Sequence, residues 1–353
     1  MRSVFEDEGT EAILLVDTSN AFNTLNRQAA LRNVQNLCPV LAPILVNTYH
    51  NHAKLFIGGE HILSREGTTQ GDPLAMAMYG IGTLPLILHL REDVMQCWYA
   101  DDATAGGKLL HIRAWWEKVV SLGPQYEYHP NLTKTCLIVK PEHLQAAENL
   151  FSNTGIKITV QGHKHLGSPL GTRSFIEEFV RSKVDGWVTE IEKLSKIAAF
   201  QPQAAYAAFT HGLTSRWTFL MQTVPDIEEL LHPLEDAIRH QFLPAITGKQ
   251  DLNDTERDLL SLPARSGGLG INKSYQYCLS AIWSLQQSDR APCLHHSPAE
   301  HQLPRADQAD QLQAKKAVRN DNRTAATGEA EAIKQKLSSS QQVAMEQARG
   351  RHP

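Results

Sequence analysis

The sequence predicts an α+β fold in its first half and an all-helical domain after it. Up to about residue 171, short apolar runs of strand length alternate with segments of helical period, in the order β-α-α-β-β-α-β-β-α-β-α-β. From residue 174 to residue 286 the periodicity is helical, and no convincing strand is present. We therefore expect an antiparallel sheet with helices on one face, followed by a helical domain.

The composition is that of an ordinary globular protein, with 42% hydrophobic and 20% charged residues among 353. The five cysteines are odd in number and scattered, which indicates reduced thiols and favours an intracellular protein of the cytoplasm or nucleus. Acidic residues at positions 6–8 leave no apolar core for a signal peptide. The longest apolar stretch, residues 73–90, contains glycine, proline and histidine, so we expect a buried helix and no membrane span.

The first elements follow from apolar runs and their end signals. The apolar run of residues 12–16 predicts a buried strand over residues 11–16, directly before Asp17. Asn26 is a suitable N-cap for a helix, and Pro39 begins a second helix that runs to about Tyr49. A Gly58-Gly59 pair between two apolar runs then predicts a β-hairpin.

A polar loop at residues 64–70 leads into the next helix, which Asp72 caps and which has Pro73 in its first turn. Backbone N–H groups at a helix start favour anionic or polar ligands, so the loop is either a nucleotide contact or simply a capped helix start. Residues 94–99 predict another strand, whose hairpin partner ends at Gly106-Gly107.

The remaining elements complete three expected domains. A helix at 109–120, a strand at 134–140, a helix at 142–151 and a strand at 156–160 finish the α+β domain, residues 1–172. Helices at 174–199, 202–222, 226–242 and 274–286 make up the helical domain, residues 173–290. Apolar residues thin out beyond residue 291, so for the tail, residues 291–353, we expect disorder or loose helix.

Three aspartates stand at the ends of two predicted strands: Asp17 after the first, and Asp101 with Asp102 after the 94–99 strand. Crowded carboxylates repel one another and are costly without a partner cation. Mg²⁺ binds one or two carboxylates together with substrate phosphates, and two such ions clamp both oxygens of a phosphoryl transfer. The pattern predicts a two-metal site, although each motif taken alone also describes ordinary turn residues.

Three segments in this order resemble the palm motifs of reverse transcriptases: residues 16–22, residues 66–74, and Tyr99-Ala100-Asp101-Asp102. Residues 130–135 are similar to the Asn-x-x-Lys-Thr segment of this family, and residues 165–171 to its primer-grip strand. Residues 262–271 resemble a segment found downstream of the thumb in non-LTR retroelement polyproteins. The resemblance covers about residues 11–271 and implies a polymerase palm followed by a thumb-like helical domain.

The resemblance also implies roles for individual residues. Asp17 and Asp101 would hold two Mg²⁺ ions, with Mn²⁺ as an alternative, and Asp102 would support them. The other implied site residues are the sugar-selecting Phe22, the nucleotide-binding Gln70, Gly71 and Lys134, and the primer-grip residues Leu166 and Gly167.

The expected function is that of a retroelement RNA-directed DNA polymerase acting on deoxynucleoside triphosphates and a primed RNA or DNA template. The family has a basic fingers domain before the first aspartate motif, whereas only 16 residues precede Asp17, so we expect a truncated chain. The sequence has a net charge of −4, so it also lacks the excess of basic residues that is usual in a nucleic-acid enzyme. One alternative is an inactive or co-opted remnant that at most binds nucleic acid. Another is a two-metal nuclease or other phosphohydrolase, but the sequence lacks the additional Asp, Glu or His ligands that we would expect near the first strand of such an enzyme. The sequence does not predict an oligomeric state.

Overall fold

The structure is a computed structural model that describes residues 1–69, 71–90, 93–274 and 305–349. The chain divides into two compact units, Met1–Ile176 and Glu177–Pro353. The first is an α+β unit and the described part of the second is helical, so the predicted fold class is confirmed. The expected domain limits at residues 172 and 290 stay predictions.

The strands of the described chain all lie in the first unit. They are Ala12–Val16 (β1), Ala53–Ile57 (β2), Glu60–Ser64 (β3), Met95–Tyr99 (β4), Asp102–Gly107 (β5), Cys136–Val139 (β6), Lys157–Thr159 (β7), Gly162–His165 (β8) and Ser168–Gly171 (β9). Five of them form one sheet in the order β4-β5-β1-β6-β7, in which only the β6–β7 pair is parallel. The β2–β3 and β8–β9 hairpins are separate two-stranded sheets.

The described helices of the first unit are Arg2–Glu6 (α1), Ala21–Thr24 (α2), Arg27–Leu37 (α3), Ala42–Tyr49 (α4), Ala75–His89 (α5), Leu109–Leu122 (α6) and Leu144–Phe151 (α7). The Asn26 side chain caps α3 by accepting from the backbone N–H of Ala29 at 2.9 Å, as its position predicts. Gly58 and Gly59 both have positive φ, which is the requirement of the two-residue turn between β2 and β3.

Strand β1 is buried on both faces, which explains its uninterrupted apolar run. Leu14 and its alternate neighbours pack in the main core with Trp115 of α6, while Ile13 and Leu15 face the opposite side. There they join Ile138 in a smaller cluster that Met1 and Phe5 partly cover. The central strand is therefore held from two sides, and its position in the sheet is strongly fixed.

The second unit contains Arg173–Ala198 (α8, which begins in the first unit), Pro202–Ala208 (α9), Thr214–Thr223 (α10), His232–Ala237 (α11), Leu243–Thr247 (α12), Asp254–Ser261 (α13), Arg305–Lys336 (α14) and Ser339–Arg349 (α15). The predicted 202–222 and 226–242 helices each contain a π-helical turn, at Phe209–Leu213 and Ile238–Phe242. The helix predicted at 274–286 lies, apart from Ser274, outside the described residues.

Two elements differ from the sequence-based expectation. Residues 162–171 form a two-stranded hairpin, although the expected order of elements ends with the 156–160 strand; the turn is hard to recognise in the sequence because Leu166 adopts a positive φ that leucine rarely takes. Helix α13 was not predicted, although Asn253 and Glu256 form a complete capping box at its start.

The tail also carries regular structure, for which we expected disorder or loose helix. Ile333 of α14 and Leu337, the residue after its end, pack in a buried cluster with Leu262 and Met345, since even sparse apolar residues at helical spacing can form a small cluster.

A buried ion pair sits in the second unit. Both Nε and Nη2 of Arg257 donate to the Glu235 carboxylate, at 2.7 and 3.0 Å. The backbone N–H of Ser274 donates to the same carboxylate at 3.1 Å, and Arg257 also donates to the carbonyl of Ile271 at 2.7 Å. The two charges are thus neutralised and well hydrogen-bonded. None of the helices in the described ranges combines the length and apolarity that crossing a bilayer requires.

Candidate active site

The pairing of β1 with β5 brings two of the predicted aspartates together. Val16 of β1 lies opposite Ala103 of β5. One step further along the antiparallel pair, Asp17 comes opposite Asp102. Both side chains line one cavity, so the sequence-based expectation that these carboxylates meet in space agrees with the geometry.

Asp101 lies in the tight turn that joins β4 to β5. Tyr99 pairs with Asp102, which leaves Ala100 and Asp101 as the two turn residues. Ala100 has a φ of +55°, a conformation that costs a residue with a Cβ atom about 1 kcal/mol. The hydroxyl of Tyr128 donates to the Asp101 carbonyl at 3.0 Å and so holds the strained turn.

Aromatic residues fix the strand that carries this turn. Trp98 of β4 packs against Tyr128 and Trp115, with ring centroids 5.2 and 6.2 Å apart. The side-chain oxygen of Gln96 accepts from the indole N–H groups of both tryptophans, at 3.0 and 3.2 Å. The edge strand β4 is thereby anchored to α6, and the position of the turn is set by buried groups.

A turn built around Asn131 places Lys134 at Asp17. The backbone N–H of Asn131 donates to the Asp17 carbonyl at 2.8 Å, and its side-chain oxygen accepts from Thr133. The Lys134 ammonium lies 3.4 and 3.5 Å from the two carboxylate oxygens of Asp17. Because the two side chains are 62% and 32% exposed, the pair is worth at most about 1 kcal/mol and opens readily to a ligand.

The β8–β9 hairpin closes the cavity on another side. Leu166 and Gly167 form its turn, with φ values of +46° and +87°. The cavity has a volume of about 300 Å³. Its polar and charged lining consists of Asp17, Asp102, Thr133, Lys134, His163, Lys164 and His165. Carboxylates and basic groups therefore face one small space.

The electrostatics of the cavity reflect this crowding. Partial burial raises the pKa of Asp102, and the negative charges of Asp101 and Asp17 raise it further, while Lys134 opposes them. Burial lowers the pKa of His165, and the N-terminal amino group adds to that effect. The Asp102 carboxylate is thus an acceptor whose charge the protein itself does not fully balance.

Phe22 and Gly71, two of the other predicted residues, do not line the cavity. Phe22 is half-buried and stacks on Tyr79, with ring centroids 4.6 Å apart. Gly67 lies close to the backbone of Phe22, and a Cβ atom on Gly67 would lie 2.5 Å from the Phe22 carbonyl oxygen. Gly71 has a φ of +93° and open space around its α-carbon, and Gln70 lies outside the described residues.

Among the residues that the structure describes, no group of three or more histidine, cysteine, aspartate or glutamate side chains is arranged to hold one metal ion. Mg²⁺ needs less than this, because it keeps several waters and takes one or two carboxylates plus substrate phosphates. The hard oxygen donors of Asp17 and Asp102 in one cavity fit that requirement. Asp101, to which the resemblance gives a metal, does not line the cavity but lies beside it in the turn.

Three basic residues of the cavity were not singled out from the sequence: His163, Lys164 and His165. The one local signal for a turn beside them is Gly167. What the sequence did not reveal is that this hairpin lies beside Asp17, because that depends on long-range contacts with the sheet.

No family model matches the chain. No curated protein sequence matches it either. Among solved structures, the chain is similar to a telomerase from Candida albicans in complex with a TWJ fragment of telomeric RNA, at 9% sequence identity and a TM-score of 0.31. The match covers 70% of this chain and 46% of the telomerase chain, so the chain spans less than half the length of that neighbour.

Proposed function

We propose that the chain is the palm and thumb part of an RNA-directed DNA polymerase of the non-LTR retroelement type. The reaction is attack of a primer 3′-hydroxyl on the α-phosphate of a deoxynucleoside triphosphate. The single observation that supports this best is the cavity in which Asp17, Asp102 and Lys134 meet beside the Asp101 turn. Such a cavity holds both the negative groups that attract divalent ions and a positive group that suits a phosphate.

The aspartates are the residues that would hold magnesium: Asp17 and Asp102 from the cavity and Asp101 from the turn. When bound, two Mg²⁺ ions supply charge stabilisation to the attacking and leaving oxygens. Lys134 lies against Asp17 with its side chain largely exposed, so its ammonium would be available to a leaving pyrophosphate. There it would balance charge or donate a proton.

The neighbouring residues would position the two substrates. Phe22, held by its stack on Tyr79, would exclude a 2′-hydroxyl from the sugar site. Gly71 leaves its backbone open to a base pair, with Gln70 next to it in the sequence. Leu166 and Gly167, at the tip of the hairpin, would hold the primer end. The partners are then deoxynucleoside triphosphates and a primed template, in an intracellular compartment.

Primer extension on poly(rA)·oligo(dT) with Mg²⁺ tests the proposal directly. We expect the Asp101→Asn and Asp102→Asn variants to lose at least about 100-fold in rate, because each removes charge from the reacting centre. Asp93→Asn is the matched control, since Asp93 is exposed and lies at the opposite end of the β4–β5 hairpin. Equal extension by the original chain and the Asp101→Asn variant would remove the catalytic assignment.

Magnesium binding can be measured apart from catalysis. Millimolar Mg²⁺ or Mn²⁺ should raise the melting temperature of the original chain and of Asp93→Asn, and raise it less in Asp17→Asn and Asp102→Asn. An equal rise in all four proteins would show that the ions bind elsewhere.

A second candidate is a remnant that at most binds nucleic acid. The observation that favours it is the Lys134–Asp17 pair, which neutralises one predicted metal ligand in the described structure. This candidate predicts no extension and no magnesium-dependent stabilisation, with nucleic-acid binding retained. Extension that depends on Asp101 would exclude it.

A further inference from the structure

The segment after the first aspartate has an unusual charge distribution. The 42 residues from Thr18 to Gly59 contain no aspartate or glutamate, although the chain has 38 acidic residues among 353. Within the same segment lie Arg27, Arg32 and Lys54, together with His50 and His52. A chain with a net charge of −4 therefore has one long stretch that lacks carboxylates and contains only basic groups among its Asp, Glu, Lys, Arg and His positions.

The fold gathers four of these basic residues around a second cavity. Helices α3 and α4 and the base of the β2–β3 hairpin enclose a volume of about 380 Å³. Five cationic or titratable basic groups line it: Arg27, Arg32, Arg65, His50 and His52. None of them lines the active-site cavity, so this basic cavity is a separate site in the same unit.

Arg27 is buried at the wall of the basic cavity, and its hydrogen bonds go to uncharged acceptors. Its guanidinium donates to the carbonyl oxygens of Ser64, Glu66 and Gly67, at 2.8 to 3.0 Å, and to the Ser64 hydroxyl at 2.9 Å. It also lies over the ring of Tyr49, 5.3 Å from the centroid. No carboxylate is hydrogen-bonded to this guanidinium in the described residues, so its positive charge adds to the potential of the cavity.

The nearby acidic groups leave this charge largely in place. The Asp72 carboxylate is engaged by the Tyr49 hydroxyl and by the backbone N–H of Leu74. Glu66 is exposed, and its carboxylate attracts Arg27 electrostatically without a hydrogen bond to the guanidinium. The other four basic side chains, Arg32, Arg65, His50 and His52, are exposed and have no hydrogen-bond or ion-pair partner within the described part of the chain.

One face of the β2–β3 ribbon continues the basic cavity. Alternate residues of a strand share a face, so Lys54 and Phe56 lie on the same face as His52. Phe56 pairs with His61 across the ribbon, and the two rings are 6.1 Å apart. Phe56 is 77% exposed and lies four residues, or about 13 Å, along the strand from His52.

We propose that the basic cavity and this ribbon face bind a single strand of RNA or DNA. The guanidinium and imidazole groups contact backbone phosphates, for which the planar guanidinium is well suited. Phe56 offers an exposed ring on which one base stacks, and the combination of cations with an aromatic platform is typical of single-strand binding. The strand binds here whether or not the chain polymerises, so the proposal does not rest on the polymerase reaction.

Fluorescence anisotropy with a labelled oligonucleotide of roughly 20 nucleotides, longer than one binding site, tests the phosphate contacts in the full chain. We expect the Arg32→Gln/Arg65→Gln variant to bind at least about tenfold more weakly, and its salt slope to fall by about 1.4, or 0.7 per lost contact. The matched control is Lys108→Gln/Lys118→Gln, which removes the same charge from residues that do not line the basic cavity. Equal loss in the two double variants would overturn the proposal.

Two substitutions on opposite ribbon faces test the stacking. Phe56→Ser should weaken binding by roughly tenfold, as loss of one stacked base does. Ile57→Ser is the control, because Ile57 is 65% exposed but points to the other face. Weakening by both substitutions alike would mean that the hairpin acts through general apolar contact and would overturn the stacking assignment.

Competition and active-site variants separate this proposal from its rivals. Unlabelled oligonucleotide should displace the probe, whereas pyrophosphate or poly-glutamate at the same charge concentration should not. Full displacement by either would identify a small-anion or acidic-protein site and overturn the strand assignment. The Asp17→Asn/Asp102→Asn variant should bind the strand at least as well as the original chain. A negative primer-extension assay therefore does not affect the strand-binding result. A negative strand-binding assay likewise does not affect the primer-extension result.

Discussion

Glu235 in the helical unit and Asp102 in the α+β unit are both carboxylates drawn away from water, and their surroundings are opposite. Glu235 accepts two hydrogen bonds from Arg257 and one from the backbone of Ser274. Asp102 faces two further carboxylates, and the cation beside it, Lys134, is paired with Asp17. One site is balanced within the protein, and the other is left with excess negative charge.

This difference separates a structural carboxylate from a candidate functional one. A balanced buried pair has no remaining capacity for a ligand, so it contributes to the fold alone. An unbalanced cluster costs stability in the free protein, and it persists where a ligand supplies the missing charge. The comparison supports placing ligand-binding chemistry at the end of β1 and not at the Glu235–Arg257 pair.

The largest expected effect is at the balanced pair. Arg257→Gln should lower the free energy of unfolding of the second unit by roughly 3–5 kcal/mol, because it leaves the Glu235 charge buried without a partner. Urea unfolding, followed by hydrogen exchange of the α13 amides, measures the loss. The Glu235→Leu/Arg257→Met variant is the control and should lose far less, since it removes both charges together. An equal loss would mean that shape, and not charge balance, holds this region.

A smaller and opposite effect is expected at Asp102. The pKa of this carboxyl is raised, so its ionised form is the destabilising one in the folded chain. Asp102→Asn should therefore raise the free energy of unfolding near pH 7, by no more than about 1 kcal/mol because the group is partly open to water.

The pH dependence of the stability gain is the control for the Asp102→Asn prediction. The gain from Asp102→Asn should disappear as the pH falls below the usual aspartate pKa, where the carboxyl is protonated in both folded and unfolded chains. A gain that persists in acid would point to a packing effect of the amide. Asp93→Asn should show no gain at any pH.

The smallest effect is expected at the hairpin that closes the active-site cavity. Leu166→Asn should raise the free energy of unfolding of the first unit by roughly 0.5–1 kcal/mol, because asparagine before glycine suits a turn with two positive φ values. Thermal unfolding measures the change. Leu132→Asn, at a leucine of similar exposure with negative φ, is the control that should show no such gain. If the Leu166 variant gains stability and loses primer extension, the strained leucine is retained for substrate contact.

The sequence predicted those parts of the fold that depend on local pattern. The buried run before Asp17 and the strand before Asp101 are apparent from apolar periodicity, and Asn26 is apparent as a cap. The roles of the predicted site residues stay predictions.

Other features depend on contacts distant in sequence or on rare conformations. Lys134 lies 117 positions after Asp17 in the sequence and reaches it only through the turn around Asn131. The β8–β9 hairpin has leucine where the usual turn sequence has asparagine. The run without acidic residues after Asp17 is visible in the sequence. That His50 and Arg65 line the same cavity depends on the folded β2–β3 hairpin.

The burial of β1 on both faces has a consequence for how this chain can change. Its odd and even residues belong to two different apolar clusters, so a slip of one residue would exchange them and empty both. An insertion within β1 or β5 would therefore unfold the unit before it could shift one aspartate past the other. The spacing of Asp17 and Asp102 is therefore either kept as it is or lost together with the fold. Changes of length and sequence are confined to the loops that surround these strand ends.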